Sequence, residues 1–98
     1  MQSVADFPWK WTHVTGTGLV QTGQGVLHTI VLNGLTTAGD ITIYDGLTNA
    51  GSIIAILHLS IATSISVQPI PFVYDLEFET GLYIEYGDAV ADLTVTRK

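Results

Sequence analysis

Apolar and polar positions alternate with period two along most of the chain, and no window sustains the i, i+3, i+4, i+7 spacing of an amphipathic helix. In "GVLHTIVLNG" the set Val26, His28, Ile30, Leu32 alternates with Leu27, Thr29, Val31, Asn33. Both sets are largely apolar, which predicts a strand covered on two sides. The segment "DITIYDG" sends Ile41 and Ile43 to one face and Thr42 and Tyr44 to the other. Asp45-Gly46 closes it, because Asp tolerates turn geometry and Gly supplies positive φ, so "YDGLTNAGS" connects to a further strand, "SIIAILHLS".

The same alternation predicts strands at residues 11–14, 18–21, 66–73, 76–79, 82–86 and 92–96. Glycine-containing turns separate them at "TGTG", "TGQG", "NGLTTAG", "TG" and "YGDA". About eight short strands at this spacing predict an all-β fold, an antiparallel β-sandwich or jelly roll. "VQPIPFVYD" is the exception, since Pro69 and Pro71 cannot donate to a ladder and belong at an edge, at a bulge or where a strand crosses between sheets.

The first residues have no period, and "DFPWKWT" places three aromatic side chains around a proline. Residues 1–12 are read as an irregular N-terminal arm on a single domain, 13–98, that docks on the body or on a neighbour through Phe7, Pro8, Trp9 and Trp11. A chain of 98 residues supports one core.

Composition narrows the function. Charged residues are 12% of the chain, against about 25% in ordinary soluble domains. The surface is therefore built from Thr, Ser, Gly and apolar groups, a composition suited to burial against other protein. Only Lys10, Arg97 and Lys98 are basic, too few and too dispersed to neutralise a phosphate backbone or an anionic membrane surface. The N-terminus lacks a basic n-region with a long apolar h-region, and the apolar run at 53–59 is far short of the ~20 residues that span a bilayer, so synthesis in the cytoplasm is expected. No cysteine is present, so stability must come from packing or from partner subunits.

Candidate chemistry is sparse. His28 and His58 lie on predicted neighbouring strands and could approach each other, but neither they nor His13 have a third ligand at metal-site spacing, and each is read as a partly buried or interfacial side chain. Asp75, Glu77 and Glu79 share one strand face and could hold a hard cation with Asp45 or Asp88, although carboxylates at period two commonly guard an edge strand. Trp9 and Trp11 share a face if extended and could stack on sugar rings, but their place beside Pro8 favours anchors for the arm. The glycines of "TGTG" and "TGQG" lack the following helix and Lys-Ser/Thr pair of a phosphate loop. No catalytic residue, metal or cofactor is expected.

"GVLHTIVLNG", "ITIYDGLTNAGSIIAIL" and "PFVYDLEFETGLYIEYGDAVADLTVTRK" together resemble the small all-β head proteins of tailed bacteriophages, over about residues 25–98. The resemblance implies a jelly-roll-like virion protein that decorates or cements the head shell, or forms a head fibre. It implies the major capsid protein and other copies of the chain as partners, and no catalytic residues. Closed symmetry such as a homotrimer would cover edge strands and apolar patches together. The alternative reading on the same fold is a carbohydrate-binding or host-adhesion module, with Trp9, Trp11 and Tyr83 stacking on sugars.

Overall fold

A computed structural model describes residues 9–60 and 69–98. Eight strands follow in order: β1 (Lys10–Val14), β2 (Gly18–Thr22), β3 (Gly25–Thr37), β4 (Gly39–Asp45), β5 (Ser52–Leu59), β6 (Ile70–Phe78), β7 (Gly81–Tyr86) and β8 (Val90–Arg97). They form two four-stranded antiparallel sheets, ordered β1-β8-β3-β6 and β2-β7-β4-β5. First pairs with last, second with seventh, third with sixth and fourth with fifth. A long hairpin bent at its β4–β5 turn and wrapped on itself produces this order, which is that of a jelly roll.

The alternation in the sequence sorts the side chains between core and surface. Ile30, Leu32, Leu93 and Val95 from one sheet meet Ile41, Ile43, Leu82 and Ile84 from the other, and all are almost fully sequestered. Removing each such side chain from water contributes about 1.5–3 kcal/mol. Phe78, also without exposed surface, plugs the sandwich at the end where β6 turns into β7. Beside it, a Cβ on Gly25 would lie 2.4 Å from the carbonyl oxygen of Lys98 and 2.7 Å from the Phe78 ring, so only glycine fits there. At the opposite end Gly39 has φ of +156° and its Cβ position lies 2.4 Å from the Ala89 nitrogen, which again restricts the site to glycine.

Three features depart from the period-two reading. β3 is covered on one face only. A register shift between Leu27 and Thr29 changes the phase of the strand, so Leu27 and Ile30 both point into the core and the alternation looks apolar on both sides. The segments expected at 66–73 and 76–79 share one strand, β6, through a bulge at Asp75, a non-glycine residue at φ of 47°. Residues 66–68 of the first of these segments lie outside the described residues. β6, which contains Pro71 and is preceded by Pro69, is an edge strand, one of the three placements expected for these prolines. Finally, residues 10–12, assigned to the arm, open β1, with Lys10 opposite Arg97 and Trp11 opposite Thr96. Phe7 and Pro8 lie outside the described residues.

Candidate functional site

Of the anchor residues expected from the sequence, Trp9 and Trp11 lie on the outer side of the β1 sheet. Because Val14 is buried in β1, the alternate positions Trp11 and His13 face outward, and Trp9 precedes them at the same spacing. The two tryptophans differ in their surroundings. Trp9 stacks on His28 with ring centroids 4.1 Å apart, and Lys98 Nζ stands 4.9 Å from its centroid. Trp11 is 72% exposed. The face around them is tied down by neutral hydrogen bonds: Thr29 Oγ1 and Thr96 Oγ1 are 2.6 Å apart, and Asn33 Nδ2 donates to Thr94 Oγ1 at 2.9 Å.

The histidines do not converge. His28 lies in β3 of one sheet and His58 in β5 of the other, so the expectation that they sit on neighbouring strands fails. Each of the three instead meets its own aspartate: His13 Nε2 is 2.8 Å from Asp92 Oδ1, His58 Nδ1 is 2.9 Å from Asp40 Oδ1, and His28 Nδ1 bonds Asp75 Oδ1. The hydrogen bonds from His13 and then Asn33 hold the Asp92 carboxyl below its ordinary value. The bulge at Asp75 turns its side chain toward His28. Period-two spacing does not reveal that pairing.

The carboxylates expected to form a cation site are also separate. Glu77 accepts from Gln24 Nε2 at 3.4 Å, while Asp45 is engaged in the turn between β6 and β7. Among the described residues, no three His, Cys, Asp or Glu side chains come together in a way that could hold a metal ion. Asp45 instead accepts from the backbone N–H groups of Glu79 at 3.0 Å, Thr80 at 2.9 Å and Gly81 at 3.5 Å. Those donors, the Glu79 bond first, hold its carboxyl below the usual range. The "YDG" and "ETG" segments thus interlock, and Gly46 N–H adds a bond to the Gly81 carbonyl at 3.1 Å.

The opposite end is fastened by a neutral group. The Tyr86 hydroxyl of β7 lies 3.1 Å from both the Val14 and the Ala91 carbonyl oxygens, linking its sheet to β1 and β8. Burial and then the nearby Asp92 charge push the phenol up to about 12. A concave space of about 360 Å³ lies at the β1–β2 corner, lined by residues 12–20. Its ionisable side chain, His13, is the one bonded to Asp92.

On the outer side of the second sheet, one row crosses all four strands: Leu19, Tyr83, Tyr44 and Ile53, each opposite the next. Leu19 and Ile53 are exposed, and the two tyrosine rings lie 6.2 Å apart in a tilted arrangement. The residues of this row were visible in the sequence, but the register that aligns them was not. No protein-family model, curated protein or solved structure matches the chain.

Proposed function

We propose that the chain is a structural virion protein of a tailed bacteriophage, decorating or cementing the head by binding the major capsid protein. The observation that carries this reading is the character of the exterior. Nine large apolar side chains are exposed among the described residues, among them Trp11, Leu19, Ile53 and Val73. Such a surface gains by association with protein, because apolar area leaves water and few charges must be stripped of theirs. The jelly-roll strand order and the motifs that resemble phage head proteins support the same reading. Self-association belongs to it as well, since the ends of both sheets leave strand edges to cover.

Trp11 is the anchor of choice in β1, with Trp9 setting the surface beside it through its stack on His28. The test uses heads assembled without this chain, mixed with purified protein and sedimented. Wild type co-sediments and Trp11→Ala is depleted from the pellet. Equal recovery of both proteins rejects Trp11 as an anchor, and absence of the wild type from the pellet rejects capsid binding.

A second reading, carbohydrate or host-surface adhesion, is favoured by one observation: no ring among the described residues stacks on Trp11, which leaves its face open to a sugar. Glycan-array binding that disappears in Trp11→Ala would establish that reading. A blank array removes it.

A further inference from the structure

The four edge strands are not equivalent. β6 carries Pro71 together with Asp75 and Glu77, and its bulge twists it away from regular pairing. These are standard obstacles to strand addition. β1 has five residues and includes Lys10. β2 also has five, and its register with β7 shifts between Leu19 and Gln21. β5 is different: eight residues, "SIIAILHL", with no proline and none of the chain's nine carboxylates, and although Ile54 is an extra residue where its register with β4 shifts, residues 55–59 pair without interruption. Among the described strands it pairs only with β4, and its side chains Ile53 and Ile56 are 57% and 42% exposed.

We infer that β5 is the surface through which two copies of this chain associate, by antiparallel pairing of the β5 edges across a two-fold axis. Self-pairing suits this strand better than pairing with another edge. A two-fold centred on Ile56 sets that side chain against its counterpart and places Leu57 opposite the counterpart of Ala55, all within the regular run 55–59. Every opposition is then free of like charges, in a chain whose net charge is −6. Two β6 edges would instead bring Asp75 and Glu77 of both copies together. β2, with five residues, is too short to match the length of β5.

The joined sheet has eight strands. Strand pairing by itself covers less area than the roughly 800 Å² per partner of a standard interface, so the dimer should dissociate on dilution. This inference does not depend on capsid binding, since it is read on the purified chain alone.

Because the chain lacks cysteine, a single introduced thiol reports one position cleanly. Ile56→Cys and, on the β6 edge, Val73→Cys are treated with a short bis-maleimide, and the mass of wild type and Ile56→Lys is measured across concentration by sedimentation velocity. Expected are covalent dimers from Ile56→Cys well in excess of those from Val73→Cys, a concentration-dependent wild-type dimer, and a monomeric Ile56→Lys with an unchanged circular dichroism spectrum. Equal coupling at the two positions, a wild-type monomer at every concentration, or a trimer unaffected by Ile56→Lys overturns the inference. Should Ile56→Lys not fold, the cysteine pair still decides.

Discussion

The two ends of the sandwich are held shut by opposite chemistry. At the end carrying the β4–β5 and β6–β7 turns, the Asp45 carboxylate gathers backbone N–H groups at Glu79, Thr80 and Gly81. At the other end, the Tyr86 hydroxyl reaches two backbone carbonyls, Val14 and Ala91. Each device satisfies backbone groups where a sheet ends and the ladder can no longer do so. One depends on a charge and the other on the absence of one. Acid should therefore loosen the first and alkali the second.

The largest effect is expected from the core at the Asp45 end. Phe78→Ala should cost about 3–5 kcal/mol in urea unfolding, because the ring is fully buried between the sheets and Gly25 has no side chain to fill the space. A loss below ~1 kcal/mol would mean that this end does not depend on its plug.

Next is the clamp itself. Asp45→Ala should cost about 1–2 kcal/mol at neutral pH, the lower part of the range for charge-assisted bonds because water reaches this carboxylate. Tyr86→Phe should cost about 0.5–1.5 kcal/mol by leaving the two carbonyls short of a donor. If Tyr86→Phe proves the more damaging, the neutral tie outweighs the charged one.

Titration sharpens the contrast. Asp45 has a lowered native value, so its stabilisation is complete above the ordinary 3.8 and is lost as pH falls through the native value. For Tyr86 the native value is raised from 10.0 to about 12, so its contribution is complete below 10.0 and is lost as pH rises through about 12. Melting followed against pH should show an acid loss that is reduced in Asp45→Ala and an alkaline loss that is reduced in Tyr86→Phe. Asp92, also lowered, adds to the acid limb and is separated by Asp92→Asn.

The smallest effect on stability is expected away from both ends. Trp11→Ala should change unfolding by less than ~0.5 kcal/mol, since its side chain is 72% exposed.

Much of the architecture could be read from residue order. Isoleucines at 41 and 43 and leucine and isoleucine at 82 and 84 alternate with polar partners, and they point where period two sends them. Pro71 falls in an edge strand, one of the places that its missing donor allows. The bulges were not legible, because an extra residue leaves no mark in composition and inverts the phase of the strand beyond it. That is why "GVLHTIVLNG" looked apolar on both faces, and why the pairing of His28 with Asp75 went unseen. Nor did the proximity of Trp9 and Trp11 in sequence reveal their difference. Trp9 is covered by His28 and Lys98, residues brought to it only by the pairing of β1 with β8 and of β8 with β3. For the candidate site the residue types were visible, and the difference between a stacked Trp9 and an exposed Trp11 required the register.

The central claim, that this jelly roll is a building part of a phage head, is tested most directly by its copy number on particles. A lysate of the native source is separated on a density gradient, and the chain is quantified in each fraction against the major capsid protein. Co-migration with heads at hundreds of copies per particle is the predicted result. A chain found wholly at the top of the gradient, apart from the particles, would contradict it.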